Sequence, residues 1–169
     1  MFILLQKLSI LAEIIINMEM TAKNFNKFLL FKLPSAVLCG VKLKEIDQKH
    51  AVATVTHRWI NQNPFNSMYF AVQSMAAELT TGALVIKKIR ESKKNISMLV
   101  TNHTGSFSKK ATGKITFTCN DGHVIQQALN ETIETGEGKT IIMRSVGINE
   151  NGEEVSRYEF EWSVRLKSK

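Results

Sequence analysis

The sequence predicts a single α+β domain in which a curled antiparallel sheet wraps around one long central helix. Three observations carry this reading. Asn61–Gly82 is a polar loop followed by a helix-period run of small and apolar residues. About four or five short β-rich segments follow it, and strands do not alternate with helices as a doubly wound parallel sheet requires. A length of 169 residues with 44% hydrophobic content suffices for one core, and no Pro/Ser/Gly-rich linker divides the chain.

The opening, Met1–Asn17, is apolar but interrupted by Lys7 and Glu13. It is too broken for a membrane span and has no small-residue cleavage site for a signal peptide. Leu4, Leu8, Leu11 and Ile15 share a helical stripe, which leaves three readings: a docked amphipathic helix, a peripheral membrane contact, or a leader preceding a start at Met18 or Met20. Residues 1–20 are therefore set apart from the domain at 21–169. Thr21–Leu33 has Phe25, Phe28, Leu29 and Leu33 at helical spacing, with Thr21 as cap and Pro34 as stop. Val37–Ile46 and His50–His57 read as a hairpin turning at Asp47–Lys49.

In the central run, Ala71, Val72, Met75, Ala76, Leu79, Ala83 and Ile86 define one apolar face. The remaining circumference is Ser74, Ala77, Thr80, Thr81 and Gly82, with Glu78 as its one charge, so the helix should be covered on most sides. Pro64 disfavours helix at Asn63, and Asn66 or Ser67 can cap, placing the start near Ser67. Glu91–Asn95 reads as a charged turn, Ile96–Phe107 as a strand, and Ile115–Cys119 as a second strand. Asn120-Asp121-Gly122 carries a hairpin-turn signal leading to strands at Val124–Ile133 and Thr140–Ile148. After a turn at Asn151-Gly152, Tyr158, Phe160, Trp162, Val164 and Leu166 alternate with Glu159, Glu161, Ser163 and Arg165, one face buried and one wet.

The order of hairpin, buried small-residue helix and meander resembles the hotdog fold of acyl-CoA thioesterases. Asn63, Tyr69 and Glu78 stand where the phenylacetate-pathway type of hotdog thioesterase has an Asn, a His-Gly-Gly at the helix start and a catalytic Asp or Glu. Trp59–Gly82 with Ile96–Thr118 is similar to an uncharacterised bacterial branch of that superfamily, in which N-P-x-x-S precedes the helix and A-E-L-x-x-G lies within it. The resemblance covers about Pro34 to Lys167. One departure matters: Tyr69-Phe70-Ala71 replaces His-Gly-Gly, whose glycines bring a backbone N–H close to the thioester oxygen.

The resemblance implies hydrolysis of acyl-CoA or related acyl thioesters; the alternative is a non-catalytic member binding an acyl chain or a small apolar ligand. Glu78 would be base or nucleophile and Asn63 would position water or substrate. Ser67, Met68, Tyr69 and Phe70 would bind the substrate, and the helix start around Met68–Phe70 would supply amides for the oxyanion. Nine residues of helix rise about 13 Å, too far for both parts to meet within one chain, so a homodimer is required; pairing of dimers into a tetramer stays open. Plainer roles stand beside these: Glu78 as a structural hydrogen-bond partner, Asn63 as a turn residue, Tyr69 as packing.

The net charge of +7 gathers at Lys87–Lys94, Lys109–Lys114 and Arg165–Lys169. Without interleaved aromatics or a recognition motif, it reads as solvated loops or attraction of an anion such as coenzyme A, not as a nucleic-acid surface. Cys39 and Cys119 lack metal or redox spacing and are either a bridge or buried thiols; the thiol reading is favoured and goes with a reducing compartment, the cytoplasm. His50, His57, His103 and His123 have no metal-ligand spacing, although His57 and His103 are placed where either can line a pocket. No cofactor motif, P-loop or serine elbow occurs.

Overall fold

A computed structural model describes residues 19–167. The readings of Met1–Asn17 lie outside that range. Thr21 caps helix α1 (Ala22–Lys32), its hydroxyl accepting from the Asn24 N–H at 3.3 Å, and Phe25 and Leu29 enter the core. Pro34 does not end helical structure as expected; it opens a short helix α2 (Pro34–Leu38), where its missing N–H leaves no bond unmade. Strand β1 (Lys42–Ile46) is correspondingly shorter than the predicted Val37–Ile46. It pairs antiparallel with β2 (Ala51–Thr56) across a turn in which Asp47 Oδ1 accepts from the Lys49 and His50 amides.

The central helix α3 (Phe70–Ser92) begins three residues later than Ser67. The reason is a closed loop: the Asn63 N–H donates to Ser67 O at 2.8 Å, and Asn66 turns left-handed at φ 56°. Tyr69 is the N-cap, without a side-chain bond. Helix also runs through Glu91 and Ser92, where the sequence predicts a turn, before Lys93 closes it in the left-handed region. Buried residues occur around most of the circumference, including Val72, Ala76, Ala77, Leu79, Thr80, Thr81, Gly82 and Ala83. The polar ones are paired with the sheet, as buried donors and acceptors must be. Thr80 Oγ1 donates to Ala77 O and bonds Ser145 Oγ at 2.9 Å, Ser156 Oγ donates to Gln73 Oε1 at 2.9 Å, and Trp162 Nε1 donates to Thr81 Oγ1 at 3.0 Å. These bonds fix the rotation of α3 over its strands.

The sheet is completed by β3 (Ile96–Phe107), β4 (Lys114–Cys119), β5 (Lys139–Ile148) and β6 (Glu154–Leu166). Its order is β1-β2-β4-β5-β6-β3, antiparallel throughout. On β6, Tyr158, Phe160, Trp162 and Val164 are buried as the alternation predicts; each large side chain so buried contributes on the order of 2–3 kcal/mol. Val124–Ile133, predicted as a strand, is instead part of helix α4 (Gly122–Thr135), which packs on α3 and β5. Its buried residues Ile125, Ala128, Leu129 and Thr132 have helical spacing, which outweighs the turn signal before them. Gly122 is required by close approach: a Cβ there would meet Gln48 O at 2.4 Å. The N–H of Gly122 donates to Lys49 O.

The two sheet edges differ. On β1, Asn26 acts as a substitute strand, its side chain donating to Leu43 O at 2.7 Å and accepting from the Leu43 N–H at 2.9 Å. On β3 the residues from Thr101 to Phe107 are exposed, and no described segment covers that edge.

Candidate functional site

The loop before α3 is held by two asparagines. Asn61, which the sequence reading did not single out, is buried; its side chain donates to Cys39 O and Thr56 O, each at 2.9 Å, and accepts from the Arg58 N–H. Asn63 Oδ1 accepts from the Phe65 N–H at 2.9 Å and the Ser67 N–H at 3.3 Å, and its amide group also meets Ser67 Oγ. Only long-range geometry distinguishes the first asparagine from the second, since both precede the helix in a polar run.

These bonds decide which helix-start amides are free. The Met68 N–H donates to Ala111 O and the Tyr69 N–H to Asn61 O, both at 2.8 Å. The Phe70 and Ala71 N–H groups have no acceptor among the described residues. The donor pair is therefore shifted from the predicted Met68–Phe70 to Phe70 and Ala71, following the later start of the helix. Asn63, Ser67, Met68, Tyr69 and Phe70 line one groove of about 580 Å³, closed on its other side by Phe107, Lys109 and Lys110. Trp59, Phe65, Tyr69, Phe70 and Phe107 are all exposed near this helix start.

Glu78 lies elsewhere. With Phe70, Ala71, Ser74, Met75, His103 and Phe160 it lines a second groove of about 300 Å³. Ala71, Ser74, Met75 and Glu78 form an i, i+3, i+4, i+7 stripe that is only half-buried. Ala71 and Met75, read from the sequence as core, thus belong to the open strip. The Glu78 carboxyl rests over Gly82 and receives no hydrogen bond from the described residues that would stabilise its charge; burial raises its pKa to about 7. His103 enters because β3 pairs with β6 so that His103 faces Phe160, the two rings stacking at 5.8 Å and 11°.

The predicted residues therefore fall into two groups that share Phe70 as a common wall. Glu78 lies eight positions along the helix from Phe70, a rise of about 12 Å, so one chain does not bring the free amides and the carboxyl to one atom. Among the described residues no group of three or more His, Cys, Asp or Glu is placed to hold a metal, and no helix is long and apolar enough to cross a membrane.

A six-stranded curled antiparallel sheet around a long helix is the hotdog fold. The chain belongs to the family described as domain of unknown function DUF4442, which matches residues 21–164. Solved structures of that shape include a Pseudomonas aeruginosa protein described as a probable thioesterase, 22% identical, covering 80% of this chain and 89% of its own at a TM-score of 0.71. A Haemophilus influenzae thioesterase is 12% identical over 86% of this chain and 91% of its own, TM-score 0.66. The Escherichia coli PaaI protein from the phenylacetic acid degradation operon is 14% identical over 87% and 94%, TM-score 0.61. At these identities the likeness is one of fold. No curated protein is similar in sequence.

Proposed function

We propose that the protein hydrolyses acyl thioesters, coenzyme A esters among them, with Glu78 as the base. The observation that carries this reading is a carboxyl on the open strip of α3 whose proton is held to about pH 7 by burial, with no hydrogen-bond partner among the described residues. Such a group is poised to exchange a proton near neutrality. In the step, Glu78 takes a proton from water as the oxygen adds to the thioester carbon. The oxyanion is held by the Phe70 and Ala71 N–H groups of another copy's helix start. Collapse breaks the C–S bond, and the thiolate leaves with the proton. The same carboxylate can instead attack directly, giving an anhydride that water then opens. Asn63 positions water or substrate at the loop.

The mechanism needs a homodimer, because of the 12 Å rise just described, about eight residues of helix. The β3 edge, which no described segment covers, supports it, since a long strand edge invites pairing with a second chain. The fold likeness to proteins described as thioesterases supports the substrate class. The test is cleavage of short, long and aromatic acyl-CoA esters by the protein and by Glu78→Gln, beside its sedimentation. Turnover by a dimer, lost in the variant, is expected; a monomer at working concentration or an equally active variant removes the assignment. A second reading has its own support: Phe70, half-exposed between both grooves, makes the surface better suited to holding an acyl chain without cleaving it. Ligand retained through purification with no turnover selects that reading.

A further inference from the structure

The face of the sheet turned away from α3 carries a third groove, of about 510 Å³, between β1, β2 and β4. Strand alternation builds it. Ala51, Ala53 and Val55 point into the core, so Thr54 and Thr56 point out, and the register sets Lys42 opposite Thr54, Thr54 opposite Thr116, and Thr56 opposite Lys114. Lys44 comes from the same edge strand, and Arg58 from the chain just past β2.

Four cations thus surround one concavity: Lys42, Lys44, Arg58 and Lys114. Among the described residues none of them makes an ion pair, whereas Lys87, Lys109, Lys139, Arg144 and Arg157 each have a carboxylate. The single carboxylate of the groove, Glu45, faces His50 at 3.6 Å. Gathering unpaired like charges is unfavourable unless an anion joins them. We propose that this groove binds a phosphorylated small molecule bearing a diphosphate or two adjacent phosphates.

The dimensions favour a small anion. From β1 to β4 is two strand spacings, about 10 Å, a span that flexible lysine stems close around one diphosphate. A nucleic-acid strand calls for a longer basic stripe with aromatic platforms, and no aromatic side chain lines this groove. A lipid surface calls for exposed apolar side chains, where this lining turns outward only Val52 among lysines and threonines.

The experiment is isothermal titration of the full chain, at fixed ionic strength, with inorganic pyrophosphate, ADP and inorganic phosphate. Pyrophosphate and ADP should bind saturably and at least about tenfold more tightly than phosphate. Lys42→Gln/Lys114→Gln should weaken both by about tenfold or more. Lys93→Gln/Lys94→Gln, which removes the same charge from the exposed end of α3, should change them less than about twofold. Absence of saturable binding, or equal weakening in the two double variants, overturns the proposal, the second because it marks a general charge effect. So does tighter binding of a single-stranded oligonucleotide or of anionic vesicles that the Lys42/Lys114 pair governs.

Discussion

The Glu78 carboxylate occupies the space above Gly82: a methyl group on Gly82 would stand 2.8 Å from Glu78 Oε1 and 3.3 Å from two atoms of the Trp162 ring. The missing side chain leaves that space to the carboxyl. That position buries it, and burial is what holds its proton.

Gly82→Ala therefore sets two effects against each other. Alanine favours an interior helical position by about 1 kcal/mol, while the crowded Trp162 ring, anchored through Nε1 to Thr81, must yield. Denaturant unfolding should move by less than about 1 kcal/mol. The flexible Glu78 terminus, by contrast, is pushed outward, so its titration by carboxyl NMR should fall back toward the ordinary glutamate range, and thioester cleavage should fall with it. A titration left near pH 7 would break the link between Gly82 and the proton.

The pH dependence of stability follows from the same group. Its pKa lies near 7 in the folded chain against an ordinary 4.5, so the folded state binds more protons than the unfolded state between those values. The neutral carboxyl's advantage is complete below about pH 4.5 and is lost as pH rises through about 7, amounting to about 3 kcal/mol. Glu78→Gln should be more stable than the parent by up to about 3 kcal/mol at pH 8 and nearly equal at pH 4.5. Parallel unfolding curves at the two pH values measure this. Activity should run the opposite way in the parent, rising through pH 7 as the carboxylate forms.

The elements that sequence made legible are those whose pattern is local. Tyr158, Phe160, Trp162 and Val164 declare their strand by period two, and the small residues of α3 declare a covered helix. The stretch after Asn120-Asp121-Gly122 reads as a strand because a strong turn dipeptide precedes it, yet the Ile125, Ala128, Leu129 and Thr132 spacing behind that turn is helical. The site was legible only in part. Glu78 stood out as a lone charge, but the open strip it shares with Ala71 and Met75 depends on where the sheet stops covering α3. His103 depends on a β3–β6 register, and which amides stay free depends on the Asn61 and Ala111 carbonyls accepting from the Tyr69 and Met68 N–H groups. No local spacing encodes those relations.

Asn63 offers a separable test of structure and chemistry. Its Oδ1 serves two loop amides, so Asn63→Ala should destabilise by about 1–2 kcal/mol and loosen the helix start. Asn63→Asp keeps both acceptor bonds and removes the Nδ2 donor. If Asn63 positions water or substrate through that donor, Asn63→Asp should unfold like the parent yet lose about tenfold or more in kcat/KM. Equal activity in the two proteins would leave Asn63 as a loop residue only. Hydrogen exchange at Phe65 and Ser67 reports whether the loop is intact.

Thr80 and Ser145 supply the last test, of what holds α3 over the sheet. Both hydroxyls are fully buried and meet at 2.9 Å, and Thr80 also donates to Ala77 O. Replacing Thr80 with valine keeps the shape but leaves Ser145 without that partner, a loss of about 1–3 kcal/mol. Ser145→Ala alone should cost about 1 kcal/mol, because Thr80 retains its helical carbonyl. With both hydroxyls gone no polar atom is stranded, so the double variant should be less destabilised than the sum of the single ones by about 1 kcal/mol. Urea unfolding of the four proteins closes the cycle. Strict additivity would mean that the two groups do not act as a pair, and that the rotation of α3, and with it the direction of Glu78, is fixed by packing instead.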